Sequence, residues 1–315
     1  MLRMGGRARH HQPLLDHEDA FNFEAFQDEV SGSLDRLAPS SITDLQFPSL
    51  GWAKQCLGVL QLMNDEAVAK LGLREDASDD DDEDDDDDDD GCESSFLQSY
   101  LTYTMNLLDL FNSITSSLSH LGRSRLSLSH ALALLVSSPS PSEAAKRLAL
   151  DPIETTQVQV KDLGDYGERV PDEPAGERAL RLMEGVGYWV CGAVLSVVSG
   201  DPEAFMETRK WAMDSENDSL VELDLSCHRI FKQRGSDVVP IEVEEINESV
   251  ASLSAAIQEG AQDRRVSAAV KELKRKLKGF EDQVHEINQE IDHLFSEIMA
   301  SRNEVIDCLR VNNRH

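Results

Sequence analysis

Catalytic chemistry is the first possibility to test in this chain, and the motifs that usually carry it are missing. The sequence holds no GxGxxG or GxxxxGK[ST] phosphate-binding loop, no GxSxG nucleophile elbow and no HExxH zinc motif. Serine, histidine and aspartate all occur, but not in the order and spacing of a hydrolytic triad. The sequence therefore predicts no catalytic residues, no bound cofactor and a protein that is not an enzyme.

Metal binding needs side chains that converge on one ion, and the histidines and cysteines are not spaced for this. His285 and His293 are eight residues apart, and the heptad register puts both on the water-facing side of a helix. The pairs His10-His11 and Cys227-His228 are sequence neighbours whose side chains diverge. The sequence predicts no metal site.

Cysteine usage favours a reducing compartment. The count is odd, the positions are scattered and no CxxC pair occurs, so a disulfide framework is not expected. The five are Cys56, Cys92, Cys191, Cys227 and Cys308. Residues 1–15 are basic and have no apolar core after them, so they predict a disordered N-terminus and no secretory signal. A cytoplasmic protein is expected.

The charge is strongly acidic, at −30 for 315 residues. Asp79 to Asp90 forms one unbroken run of twelve acids, which leaves −18 on the rest of the chain. A net acidic surface argues against nucleic acid as a partner and favours basic protein surfaces. Because like charges repel and bury nothing, residues 76–91 are predicted to be a disordered insert able to dock basic partners.

One basic patch opposes this trend. Lysines and arginines cluster at the start of the long C-terminal helix, at heptad positions that a coiled coil keeps polar. The patch comprises Lys271, Lys274, Arg275, Lys276 and Lys278. A solvated face is the simplest interpretation. Two sharper ones are an anionic lipid surface and docking of the aspartate run within one chain.

Apolar residues at steps of three and four predict helices throughout residues 16–150. We expect helices over 16–37, 49–73 and 95–121, with 126–136 as the antiparallel neighbour of 95–121. Ser140-Pro141-Ser142-Glu143 predicts a capped short helix to Leu150. Residues 151–176, polar and rich in proline and glycine, predict a linker, and an isolated short strand over 156–160 would have nothing to pair with.

The second helical region spans residues 177–310. An apolar helix over 177–199 should precede one capped by Asp201 with Pro202 at its first position, and the polar stretch 214–219 would break that second helix. Residues 240–310 predict a long antiparallel hairpin that turns at Gly260. Its second arm carries a four-three seam from Val270 to Ile298, which one chain or two could satisfy. The fold class is all-α, an elongated bundle of seven or eight helices.

The segment Gly185–Gly200 supports two interpretations. Its apolar run of about 16 residues falls short of the roughly 20 that span a bilayer, which favours a buried core helix. Extending it to 20 would include Arg181 and Glu184. A membrane anchor, single-pass or peripheral and facing the cytosol, is the alternative.

Two stretches together resemble the plant BYPASS family. The first is Tyr100-Leu101 followed by Asn106-Leu-Leu-Asp-Leu-Phe-Asn-Ser-Ile114, preceded by Trp52-Ala53-Lys54. The second runs from Val238 through the heptad helix to Cys308-Leu309-Arg310, and between them residues 179–200 resemble the family's apolar helix. This chain departs from the family at two places. It has Thr102 after Tyr100-Leu101, where the family has an aspartate. Its aspartate run stands where the family has a short acidic loop that contains a tryptophan.

The resemblance implies a function without chemistry of its own. It implies a plant developmental regulator or adaptor that restrains a root-derived mobile signal through protein contacts made by its helical surfaces. A related branch of the family is associated with an exocyst subunit and secretion. The alternative function is therefore a membrane-associated trafficking factor, held through residues 185–200, that binds exocyst-type tethering machinery.

Overall fold

The computed structural model describes residues 22–38, 47–70, 90–137, 150–156, 160, 163–164, 173–235, 238–260 and 263–312. These residues form eight helices and no strand, which confirms the predicted all-α bundle. The helices are α1 (Phe23–Leu37), α2 (Leu50–Lys70), α3 (Asp90–Ser137), α4 (Ala175–Ser199), α5 (Glu203–Met213), α6 (Asp218–Arg234), α7 (Ile241–Gln258) and α8 (Asp263–Asn312).

Helix α4 is the centre of the bundle because it is apolar on every side. From Ala179 to Ser199, every residue except Arg181 and Glu184 is buried. A helix with no polar face must be covered all round, and α1, α2, α3 and α5 supply that cover. The closest approach is at Gly192, where an added Cβ would lie 1.9 Å from Thr208 Oγ1 on α5.

Helices α3 and α8 give the bundle its length. They contain 48 and 50 residues, so at 1.5 Å per residue each is about 70 to 75 Å long. They run antiparallel, since Arg125 of α3 pairs with Glu281 of α8 at 3.0 Å, while Arg302 donates to Leu101 O and Thr104 Oγ1. Helix α2 also packs on α8.

The prediction that 126–136 folds back on 95–121 is wrong. Helix α3 continues through Gly122 to Ser137 without a turn. Its buried stripe also continues at helical spacing past that glycine, through Leu121, Leu128, Leu132 and Leu135. The reason is that α8 lies alongside α3 on both sides of Gly122, where Arg125 pairs with Glu281 and Arg302 donates to Leu101 O. The apolar face therefore has a partner without folding back on its own helix.

The predicted C-terminal hairpin is present. Gly260 turns the chain between α7 and α8 with φ +70°, a left-handed conformation that glycine adopts without strain. The arms are antiparallel, with Lys276 Nζ 3.5 Å from Glu245. Every predicted seam residue from Val270 to Ile298 is buried within this one chain, against α7 in the first part of α8 and against α2 and α3.

The seam falters at Ser301 as the sequence indicates, and the structure shows how the polar group is accommodated. Ser301 is buried, and its hydroxyl donates to Glu297 O at 3.1 Å. This bond to the preceding helical turn satisfies the hydroxyl proton within α8 itself. Val305 then returns to the buried side.

The break predicted within 214–219 is also present. Helix α5 ends at Met213 and α6 begins at Asp218, with Asn217 Oδ1 accepting from Leu220 N at 3.0 Å. At the start of α5, Asp201 Oδ1 accepts from Glu203 N, and Pro202 O accepts from Met206 N. This is the capping pattern expected of an aspartate followed by a proline.

Several predicted segments fall partly or wholly outside the described residues. These are residues 1–15, the start of the first helix at 16–21, most of the acidic insert 76–91 and the short helix at 140–149. The insert's last two residues, Asp90 and Gly91, belong to the first turn of α3, so its predicted boundary is two residues too late. Helix α4 begins at Ala175, two residues before the predicted 177.

The predicted linker 151–176 is not free of the bundle where the structure describes it. Ile153 is buried, its N–H donates to Asn247 Oδ1 on α7 at 2.8 Å, and Asn247 Nδ2 donates to the Ile153 carbonyl at 3.1 Å. Thr155 packs against Gly200, which adopts φ +72°. The described residues of 156–160, which are 156 and 160, form no strand.

Candidate interaction surfaces

The histidines and cysteines weighed as ligands do not meet in the described parts of the chain. His285 and His293 are exposed on α8, as the heptad register predicts, and His293 Nε2 lies 3.2 Å from Glu297. Within the described ranges, no group of three His, Cys, Asp or Glu side chains could hold a metal ion. His10-His11 lies outside those ranges.

Cys227 is buried while His228 beside it is only partly covered. Burial raises the pKa of the Cys227 thiol, with a smaller contribution from Asp224. Desolvation, and to a lesser extent Arg209, lowers the pKa of His228. Burial raises the pKa of the Cys56 and Cys191 thiols in the same way. A thiol held in its neutral form is a poor nucleophile, so these cysteines act as core residues.

A buried polar network, which the sequence analysis did not find, joins three helices. Asp224 on α6 is fully buried and accepts from Trp189 Nε1 of α4 at 3.0 Å. It also pairs with Arg209 of α5, whose Nε and Nη2 donate at 3.1 and 2.6 Å. A bidentate pair with a third donor satisfies a buried carboxylate. The network fixes α4, α5 and α6 relative to one another, and periodicity alone gives no signal for it.

A second unpredicted feature is a largely buried glutamate, Glu184, near the rings of Tyr103 and Tyr188. Burial raises the pKa of Glu184 to about 7, a rise that Arg181 opposes and Glu173 adds to. Arg181 is paired with Glu173, so its charge is shared. Nearby, Asn106 Nδ2 donates to Tyr188 Oη at 3.1 Å, and the Tyr103 and Tyr188 rings meet edge to face with centroids 5.7 Å apart. The only sequence signal was a glutamate that interrupts an apolar run.

A concave groove lies between α1 and α2. One hollow in it holds about 310 Å³, and an adjoining hollow of about 360 Å³ shares Gly58 and Leu62 with the first. The walls are lined by Ser33, Arg36, Leu37, Gln55, Gly58, Val59 and Leu62 in the first hollow and by Glu29, Gln61 and Asp65 in the second. The groove therefore has an apolar floor, a cation at one end and two carboxylates at the other.

Gly58 lies at the middle of this groove and explains its depth. An added Cβ there would meet nothing within 4 Å, so the glycine is not required for close packing. In the middle of a helix, glycine costs about 1 kcal/mol relative to alanine. This residue leaves a gap in the surface of α2 that a larger side chain would close.

The predicted basic patch lies on the outer face of the first turns of α8. Lys271, Lys274, Arg275 and Lys278 are exposed and Lys276 is partly covered. Arg275 pairs with Glu272, Lys276 with Glu245, and Lys278 with Glu281 and Asp282. Exposed pairs of this kind contribute little to stability.

The apolar segment Gly185–Gly200 lies within α4 and the residue that follows it. By length and composition, α4 is the one helix in the described ranges that could cross a membrane, with mean hydropathy 1.5 over its most apolar window. That window is 94% buried by the rest of the fold. A core helix and a membrane span both satisfy the length and composition criteria, so a single such helix is weak support for a membrane.

Comparison with known proteins adds no relative. No protein-family model, curated protein or solved structure matches the chain significantly. The class of the protein therefore comes from its own geometry: an elongated all-α bundle with a central apolar helix and a C-terminal hairpin.

Proposed function

We propose that this chain is a non-enzymatic adaptor of the BYPASS type, a plant developmental regulator that restrains a root-derived mobile signal by holding protein partners on its helical surfaces. The observation that carries the adaptor role is the α1–α2 groove, with its apolar floor and charged ends. The developmental role comes from the sequence resemblance.

The groove has the chemistry of a helix-binding site. Its floor is provided by Leu37, Val59 and Leu62, and an amphipathic helix covers such a floor with one apolar face. Arg36 at one end and Glu29 with Asp65 at the other favour a partner whose charges run in the opposite order. The proposed occupant is therefore an amphipathic segment of another protein, acidic near Arg36 and basic near Asp65.

Gly58→Gln tests this site with little risk to the fold. The new side chain has open space and replaces glycine with a better helix former, so stability should hold or rise. It would occupy the middle of the groove. Gly279→Gln is the matched control, because Gly279 is also exposed, helical and without neighbours within 4 Å, but lies on α8 far from the groove.

The measurement is rescue of a plant line that lacks the protein, together with quantitative capture of partners from its extracts. We expect Gly279→Gln to rescue normally and Gly58→Gln to lose both rescue and a defined set of partners. Equal rescue by both variants would contradict the role of the groove. The restraint of a mobile signal is tested separately by grafting. Roots that lack the protein should impair a normal shoot, and normal shoots on normal roots are the reference.

The alternative function is a membrane-associated secretion or trafficking factor that binds exocyst-type tethering machinery. The observation that favours it is the length and apolar character of α4. Fractionation of the full-length protein from plant cells, with a high-salt wash and then an alkaline carbonate wash, distinguishes the two. Release into the soluble fraction supports the adaptor, and resistance to carbonate supports an embedded helix.

A further inference from the structure

Positive charge is concentrated at one end of this acidic bundle, where the last turns of α3 lie beside the first turns of α8. We call residues 123–137 of α3 and 264–278 of α8 the basic end. We propose that the basic end binds the surface of a membrane rich in anionic phospholipid. This inference concerns the outer surface alone and requires neither entry of α4 into a bilayer nor an occupied α1–α2 groove.

The charge at the basic end is opposite to that of the whole chain. Residues 264–278 contain seven lysines and arginines and one acid, Glu272, for a net +6. Residues 110–137 of α3 contain two arginines and no acid at all. The Arg125–Glu281 pair sets these two segments side by side. These two segments together thus carry about +8 in a chain of net charge −30.

Four of these cations have no partner among the described side chains. Arg264, Arg265, Lys271 and Lys274 are all exposed and form no ion pair or hydrogen bond within the described ranges. The other three cations of α8, Arg275, Lys276 and Lys278, pair with carboxylates on their own helix or on α7. Unpaired cations on a common surface repel one another, and an anionic surface would relieve this.

Exposed apolar side chains accompany the cations. Leu126, Leu134 and Val136 on the last turns of α3 are 57%, 42% and 55% exposed. These are three of the seven large apolar side chains that the described surface exposes. Cations beside exposed leucines are the composition of an interfacial membrane contact, where the apolar groups enter the acyl boundary and the cations meet headgroups.

The acids that pair with these lysines and arginines of α8 are Glu245 on α7 and Glu272, Glu281 and Asp282 on α8. On the α7 side, Glu245 meets Lys276. Lys274, Lys278 and Glu281 share the opposite flank of α8 at helical spacing, and Glu281 is neutralised there by Arg125 of α3. On α3, no carboxylate follows Asp109 up to the end of the helix at Ser137. The flank toward α3 is therefore the one that an anionic surface can approach.

The two described helix ends that flank the aspartate run, Lys70 and Asp90, lie far from the basic end. Helix α2 runs parallel to α8. Lys54 pairs with Glu286, and Asp65, further along α2, lies close enough to Glu297 for its charge to raise the pKa of that carboxyl. Lys70 thus lies level with residue 302 of α8, about 42 Å from Lys274 along the axis, and Asp90 lies about 60 Å away. The 19 residues between Lys70 and Asp90 extend to about 68 Å at most, less than the roughly 100 Å of the round trip.

A lipid surface is favoured over an acidic protein because a single partner must accept both the cations and the exposed apolar side chains. An acidic peptide would neutralise the lysines but leave Leu126, Leu134 and Val136 in water. A bilayer surface accepts the cations through its phosphates and the leucines through its acyl boundary. The basic end exposes both groups, the cations on α8 and the apolar side chains on α3.

The test is flotation of the full-length protein with vesicles of phosphatidylcholine containing 30% phosphatidylserine, compared with vesicles of pure phosphatidylcholine. Binding is expected only to the anionic vesicles and should fall as salt is raised. Lys271→Gln with Lys274→Gln should weaken it about 25-fold, at roughly fivefold for each cation lost. Arg229→Gln with Lys232→Gln makes the same charge change on α6, which packs on α1 and α5, and should leave binding unchanged.

The apolar contribution has its own variant. Leu126→Ser with Val136→Ser alters two exposed side chains, so the fold should be kept. Binding to the anionic vesicles should weaken, and the binding that remains should fall with salt as it does for the original chain. The proposal is overturned if the protein does not float, or if both vesicle types bind it equally. It is also overturned if the two lysine substitutions have no more effect than the α6 control. Tighter, lysine-dependent binding to a free peptide of sequence 76–91 than to vesicles would assign the basic end to acidic protein segments instead.

Discussion

Replacing Glu184 by glutamine is expected to stabilise the protein at neutral pH and to change how its stability depends on pH. In the folded protein, burial raises the pKa of this carboxyl from 4.5 to about 7. The unfolded chain therefore loses this proton at lower pH than the folded chain does. Between pH 4.5 and 7 the folded state binds more protons, so the free energy of unfolding falls as pH rises through that window.

The size of the effect follows from the shift. A difference of 2.5 pKa units, at 1.36 kcal/mol for each, corresponds to a penalty of about 3 kcal/mol when the group is fully ionised in both states. At pH 5 the same linkage gives only about 1 kcal/mol. Below pH 4.5 both states are protonated and the penalty disappears. Glutamine resembles the neutral acid in shape and never ionises.

Urea unfolding at pH 5, 6, 7 and 8 measures this directly. The difference in unfolding free energy between Glu184→Gln and the original chain should grow by about 2 kcal/mol from pH 5 to 7 and then level off. Other titrating groups, including Glu242, whose pKa burial also raises, cancel in the difference. Glu203→Gln removes a carboxylate from an exposed position on α5 and serves as the control. Parallel pH curves for Glu184→Gln and the original chain would refute the assignment of a shielded carboxyl.

Three further substitutions test the packing around α4. Asp224→Ala should cost about 3 to 5 kcal/mol in thermal or urea unfolding, because it leaves the charge of Arg209 largely buried without its partner, and a loss below 1 kcal/mol would contradict the network. Gly192→Ala should cost about 1 to 3 kcal/mol because its Cβ collides with Thr208, and Thr208→Ala in the same chain should restore most of that stability, whereas additive losses would contradict a direct clash. Val194→Arg should unfold the domain in circular dichroism if α4 is core, whereas a folded protein released from membranes into the soluble fraction would indicate an anchor.

Much of the helical architecture could be predicted from the sequence, because apolar spacing and caps are local signals. The seam from Val270 to Ile298 and the turn at Gly260 were found where the four-three pattern and its interruption predict them. The break before α6 was visible as a polar stretch, and Asn217 supplies the cap. In each case the deciding interaction lies within a few residues along the chain.

The features that were missed depend on residues far apart in sequence. Residues 126–136 contain the same leucine spacing whether they fold back or continue, and only the presence of α8 alongside decides for one long α3. The Asp224 network joins positions 35 and 15 residues apart. The α1–α2 groove depends on a missing side chain at Gly58, which looks in sequence like an ordinary helical glycine. The basic end was only half visible, since the lysines of α8 were noted without the acid-free α3 beside them.

The antiparallel pairing of α3 with α8 has a consequence for synthesis of the chain. The apolar stripe of α3 is complete once residue 137 has been made. Helix α4 covers part of it, but the rest of its cover is the last helix, which ends at residue 312. At roughly 5 to 20 residues per second, the intervening 175 residues take about 9 to 35 seconds to translate. For that time a helix about 70 Å long keeps a row of apolar side chains without its α8 cover. Folding of this protein in cells should therefore depend on chaperones that shield the row, and loss of the last 30 residues should leave it open to aggregation.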